Sequence, residues 1–224
     1  PCLFGCGLFM MDEETNTLPT AVPFNSAEKV RELLRKGVPD LRAGLGAKVF
    51  ECGRRFVEVM SRYPRVRRWV AVIHPDLQGP VDVLEVVWGS EFFYAIYDDL
   101  PLFQDFLALV TETYIAFLRE WQRIVPPTRP YSDHWGMMHK GVVMLRADLL
   151  MNLPPDFYAE RIRPADERVF AEFGGGAIHF CGRGDHFIEE MSRAKGLTAV
   201  NLSQPHCNNM EIIYRNTVDK GLHL

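Results

Sequence analysis

The stretch Gly174 to His186, GGGAIHFCGRGDH, puts an imidazole, His179, and a thiol, Cys181, two residues apart. On a strand, residues two apart share a side, so the pair projects together while Phe180 points the other way. Two chemistries use such a pair. Imidazole nitrogen and thiolate sulfur are both zinc ligands, and a catalytic zinc needs a third protein ligand while leaving a position open for substrate. In the other chemistry Cys181 is a nucleophile and His179 its base, which demands a hydrogen bond between them. A plainer reading makes Cys181 a small buried residue and His179 a satisfied core histidine. His206 and Cys207 follow the next apolar run and strengthen the metal reading: either could supply the third ligand, and the candidate set is His179, Cys181 and Cys207.

Comparable residues recur along the chain. WVAVI is followed by His74, Asp76 and Gln78, GVVML by Arg146 and Asp148, and TAVNL by Ser203, Gln204, His206 and Cys207. Asp148, Asp76 and His74 are the candidate catalytic groups. Gln78, Arg146, Arg183, Ser203 and Gln204 are the candidate substrate contacts. The same polar residues also suit helix capping, as Asp185 and Asn208 would at the helix starts they precede. Four successive apolar runs ending this way favour a shared site over capping alone.

The elements that must carry these residues alternate. Strand-like runs are expected at 67–74, 140–146, 176–181, 197–203 and 221–224, separated by segments of helical period at 81–97, 100–125, 154–173, 185–195 and 208–220. In the second of these, Phe106, Leu107, Val110, Tyr114, Phe117, Leu118 and Trp121 recur at three and four, as one buried face requires. Alternation of this kind implies a parallel sheet, and the unbroken Val/Ile/Leu character of the runs implies burial on both faces. No GxGxxG or P-loop opens any of the helices, which favours a (β/α)8 TIM barrel over a nucleotide-binding open sheet. In a barrel all four polar strand ends lie on one face. Ahead of this region, residues 10–19 read as a loop, Ser26 caps a helix that stops at Gly37 and Pro39, and a second helix covers 46–64.

With 224 residues, 47% of them hydrophobic, the chain fits a single domain. Its net charge of −4 excludes a global attraction to nucleic acid or to an anionic membrane. The apolar runs are shorter than a membrane helix needs, and five cysteines, an odd number, fit free thiols in a reducing cytoplasm. Phe92, Phe93, Tyr94 and Tyr97 suit either a homodimer face or a core. The chain starts at Pro1 and stops at DKGLHL, in what reads as the opening of a strand, and is expected to be part of a longer one.

The stretches GGGAIHFCGRGDH, HPDLQGP and RADLLMNLPPDFYAERIRP resemble the uroporphyrinogen decarboxylase superfamily of (β/α)8 barrels, most closely over residues 69–210. That group includes the decarboxylase and the corrinoid-linked methyltransferases with an HxC…C zinc site. The resemblance implies a barrel lacking its first strands and its last one or two. It matches His179 and Cys181 to the zinc-holding HxC, and Asp148 to an acidic residue after the middle strand, ahead of the helix start at Pro154 and Pro155. On the methyltransferase branch, zinc would activate a small thiol substrate towards a methyl donor carried by a separate corrinoid protein. On the decarboxylase branch no metal is used: Arg146 and Arg183 would clamp the carboxylates of a tetrapyrrole, and Asp76 or Asp148 would accept its pyrrole N–H groups. The decarboxylase's tetrapyrrole-cradling N-terminal segment is absent from this sequence, and the thiol has no role in its reaction, so the methyltransferase branch leads. A non-catalytic barrel that binds an anion is the third alternative.

Overall fold

The computed structural model describes residues 1–224 apart from Glu13 and residues 15–18, so the loop expected over 10–19 lies partly outside the described residues. A short ribbon, β1 (Gly7–Phe9) with β2 (Thr20–Val22), precedes α1 (Ala27–Lys36), α2 (Gly46–Ser61) and α3 (Pro64–Arg67). As its sequence implies, α1 begins at Ser26, whose hydroxyl accepts the Lys29 N–H at 3.2 Å, and stops at Gly37, where φ is 72°. Three helices follow: α4 (Pro80–Trp88), α5 (Phe92–Asp98) and the long α6 (Leu100–Ile124). Next come an antiparallel hairpin, β3 (Tyr131–His134) and β4 (Met137–Lys140), and then β5 (Val143–Arg146). Beyond β5, α7 (Pro155–Phe157) runs through a π-helical turn (Tyr158–Ile162) into α8 (Arg163–Phe173). The chain closes with β6 (Gly176–Phe180), α9 (Ile188–Met191), β7 (Leu197–Leu202) and α10 (Met210–Asn216).

Strands β5, β6 and β7 form a parallel sheet in that order, and single parallel bridges, Gln78 to Arg146 and Ala199 to His223, extend it at each edge. From residue 78 to residue 223 the spatial order follows the chain order, without the reversal that marks a doubly wound sheet. Among the described residues the arc does not close.

Several elements differ from expectation. Residues 67–74 form no strand: Val72 packs instead against a cluster of Phe50, Phe117, Trp121 and Val125. The His74 ring also takes the Met144 N–H at 3.2 Å, a donor that a neighbouring strand's carbonyl would otherwise accept. Of 221–224, only His223 bridges to the sheet. The helix expected over 81–97 breaks at Gly89, whose φ of 89° favours glycine. The hairpin at 131–140 has no counterpart in the sequence reading. Of the aromatic run, Phe92 is buried in the core and Phe93 packs against it, while Tyr94 and Tyr97 are exposed.

The sheet separates two environments. Val143, Leu145, Ile178, Phe180 and Val200 point to the main core, where they join residues such as Trp88, Phe106 and Phe170 of the surrounding helices. The seven apolar residues picked out along α6 are all buried, and a full burial of this kind stabilises by about 1.5–3 kcal/mol per large side chain. Met144, Ala177 and Ala199 face the opposite way and pack against Met137 of β4, so the hairpin roofs this second face. By register, Arg146, His179 and Asn201 form the next row on the same face. No helix among the described residues is long and apolar enough to cross a membrane.

Three buried histidines meet at the hairpin, His134 of β3, His139 of β4 and His74. His134 Nδ1 is 2.8 Å from His139 Nε2, and the rings of His134 and His74 lie 4.5 Å apart, tilted by 38°. His139 Nδ1 donates to the Lys140 carbonyl and His74 Nδ1 to that of Pro75, bonds that favour the protonated ring and that burial outweighs. Burial lowers all three pKa values, that of His134 to about 3. An unfolded histidine takes up its proton near pH 6.5, so this contribution is complete above pH 6.5 and is lost as pH falls towards 3. At pH 5 the loss at His134 is about 2 kcal/mol. Asp82 and Asp166, both pushed up to about 7 by burial, act with the opposite sign, their contribution fading as pH rises through 7. Urea unfolding of wild type and His134→Gln separates the two: between pH 7.5 and 5 the variant loses less stability than wild type. Parallel curves would contradict a neutral buried His134.

Candidate metal centre

Residues two apart on β6, and the turn that follows β5, bring three ligand atoms together. One ligand atom each from Asp148, His179 and Cys181 lies within 4.8 Å of the others. Cys181 Sγ is 3.4 Å from His179 Nε2, which is 3.8 Å from Asp148 Oδ1. His179 is buried, while Asp148 and Cys181 are half-buried, so the cluster is reachable from one side. The other ring nitrogen of His179, Nδ1, donates to Asn201 Oδ1 at 2.6 Å. That bond fixes the proton on Nδ1 and presents the Nε2 lone pair to Cys181 and Asp148, as metal-binding histidines are oriented by an outer partner. Nitrogen, sulfur and oxygen donors in this arrangement suit zinc.

The support behind the donors is extensive. Asp148 opens the 3-10 turn Asp148–Asn152, and its Oδ1 accepts the Cys181 N–H at 2.8 Å. The buried carboxylate of Asp82, in the first turn of α4, accepts the N–H groups of Asp148 at 2.9 Å and Leu149 at 3.2 Å. Burial outweighs these two bonds and raises its pKa to about 7. The Ser203 hydroxyl donates to Cys181 Sγ at 3.2 Å. Gly182, with φ at 79°, turns the chain away just after Cys181, and its N–H is accepted by the Gln204 side chain. At the pocket edge the Arg146 guanidinium reaches Asp76 and Asp148, each at 3.4 Å, and lies 5.5 Å from the ring of Trp135. Trp135, from the hairpin turn, packs its ring against that of His179, centroids 4.5 Å apart and planes tilted by 54°.

The site residues expected from sequence divide accordingly. Asp148, His179, Cys181, Arg146, Asp76 and Ser203 come together, and Gln204 supports the turn behind them. His74 does not join them: it is under the hairpin with both nitrogens committed, because it caps the edge of β5. Gln78 bridges to Arg146 in the sheet. Arg183 is exposed and paired with Asp185 at 2.8 Å, so no two-arginine clamp is assembled with Arg146. Cys207, in the turn Pro205–Cys207, is exposed and stands outside the converging donors, its N–H going to the Gln204 carbonyl. All five cysteines are free.

As for the caps, Asn209, not Asn208, caps α10, and Asp185 accepts the Asn209 N–H. Asn208 instead ties the Gly182–Asp185 turn to the Gln204 carbonyl.

Asn201, Asp82 and Trp135 went unread. Asn201 was detectable, since it lies two residues past Ala199 on the same side of its strand. Asp82 and Trp135 reach the site through the tertiary fold and leave no local pattern. Two further clefts flank residues 69–76, but among the described residues neither holds a comparable group of ligand atoms.

The fold has a solved counterpart. A methyltransferase from Methanosarcina mazei superposes with a TM-score of 0.61 at 17% identity, covering 88% of this chain. The chain spans about half of that structure, 52% of its length. No family model and no curated protein matches the sequence.

The dependence on Asp82 is measurable. Asp82→Ala leaves two buried N–H groups without an acceptor and is expected to cost about 2–4 kcal/mol in urea unfolding. Asp82→Asn, which keeps one acceptor oxygen, costs less. A loss below about 1 kcal/mol for the alanine variant would mean that water replaces the carboxylate and that Asp82 does not hold the Asp148 turn.

Proposed function

We propose that this chain carries the metal site of a zinc-dependent methyltransferase acting on a thiol, and that its sheet is an arc of a (β/α)8 barrel. The observation that carries this reading is the convergence of Asp148, His179 and Cys181, with Asn201 fixing the histidine tautomer. Asp148, in place of Cys207, is the third ligand. The fold shared with a methyltransferase supports the reaction class, and the unassembled arginine clamp weighs against the decarboxylase alternative.

In this reading zinc, when bound, supplies the Lewis acidity that makes a bound thiol nucleophilic at neutral pH. The methyl donor is a corrinoid on a separate protein. The chain's own groups do the positioning. Asn201 holds the His179 ring, the Cys181 N–H orients Asp148, and Asp82 anchors the turn on which Asp148 lies. The Ser203 hydroxyl offsets negative charge on Cys181 Sγ. Trp135 and Arg146 wall the pocket through which substrate approaches.

Protein expressed with ample zinc is expected to hold one zinc per chain by elemental analysis, and His179→Ala and Cys181→Ser are expected to lose it. Asn201→Ala should retain the ligands but bind zinc about 10–100-fold more weakly in chelator competition. Loss of methylcobalamin absorbance in the presence of a thiol reports transfer, and Cys181→Ser should abolish it. Zinc absent from wild type, or retained by Cys181→Ser, would overturn the assignment.

A further inference from the structure

Trp135 is an unusual choice for its position. The hairpin turn has two central residues, Trp135 and Gly136, with φ of 50° and 74°. Turns of this kind favour Asn-Gly or Asp-Gly, because both central residues occupy the left-handed region. A bulky L-residue is strained there, and strain of this sort points to a use for the side chain that the turn itself does not need. The use is visible in where the ring lies. It packs against His179 and Arg146, yet Trp135 remains 49% exposed, with part of the indole facing the pocket.

The rest of that pocket is mostly polar. Asp76, Arg146, Asn201 and Ser203 line it, and Leu202 is its one aliphatic wall. An aliphatic group entering here meets Leu202 and the indole face and gains burial alone. A flat ring gains more, because it can lie against the indole while its edge stays near the polar rim.

We propose that the exposed part of Trp135 is a stacking subsite, and that the thiol this site takes carries an aromatic ring or similarly flat unsaturated group. The inference rests on the reading of Asp148, His179 and Cys181 as a zinc site. Stacking is expected to favour an aromatic thiol by about ten-fold beyond its greater hydrophobicity.

The test uses cobalt-substituted protein, in which a substrate thiolate adds to the charge-transfer absorption that Cys181 gives alone. Phenylmethanethiol and ethanethiol are titrated against wild type, Trp135→Phe and Trp135→Asn. Asparagine suits the turn, so Trp135→Asn keeps the hairpin while removing the ring, and its Tm should be unchanged or raised. The expected result is a preference for phenylmethanethiol that is largely kept in Trp135→Phe and falls about ten-fold in Trp135→Asn. Equal preference in wild type and Trp135→Asn would overturn the subsite, as would a fall in Tm with no change in preference.

Failure of the zinc reading is recognised separately, by the absence of any thiolate-to-cobalt band, before or after either thiol is added. In that case quenching of tryptophan fluorescence by phenylmethanethiol decides. Quenching in wild type that disappears in Trp135→Asn supports the stacking subsite, and quenching unchanged by the substitution refutes it.

Discussion

Everything at the site depends on the register of three short parallel strands. Because side chains alternate, the pairing of Arg146 with His179, and of His179 with Asn201, sets all three on the face away from the helices. A one-residue slip of β6 would turn His179 into the helical core and bring Phe180 to the pocket. The pairing is secured by the other face: Val143, Leu145, Ile178, Phe180 and Val200 are buried among the helices, and a one-residue slip of any strand turns its share of them out of that core. The apolar face thus fixes the geometry of the polar one.

A second constraint comes from the roof. Ala177 and Ala199 are small, which lets β4 approach closely enough for Met137 to cover them. The hairpin brings with it two costs, three buried histidines that must stay neutral and a tryptophan in a strained turn. Both are tied to the same result, an indole placed beside His179. The buried Asp82 has a similar place in the structure, since a carboxyl that burial pushes up to about 7 still holds the turn carrying Asp148. Polar groups under this much burial serve orientation, and the side chains at the surface of the cluster inherit the precision.

Much of this was legible in the sequence where the signal was local. The strands around Val143–Arg146, Gly176–Phe180 and Leu197–Leu202 follow from continuous apolar runs, and the shared direction of His179 and Cys181 follows from a spacing of two. Ser26 and Gly37 bound α1 as their backbone preferences require. Residues 67–74 misled because β-branched, apolar sequence reports burial and not pairing: Val72 found its burial against Phe50 and Trp121, away from the sheet. The hairpin escaped because Trp-Gly is not the usual turn pair. That the Asp148 turn, and not Cys207, lies beside His179 and Cys181 was not legible, because spacing along the chain cannot tell which of two loops folds back on β6.

The central claim is that Asp148, His179 and Cys181 together hold a metal ion, and anomalous scattering from a crystal at the zinc edge tests it most directly. The account predicts one strong peak about 2.0–2.3 Å from His179 Nε2, Cys181 Sγ and an Asp148 carboxylate oxygen. No peak there in zinc-grown protein, or a peak on Cys207 or His206 instead, would contradict it.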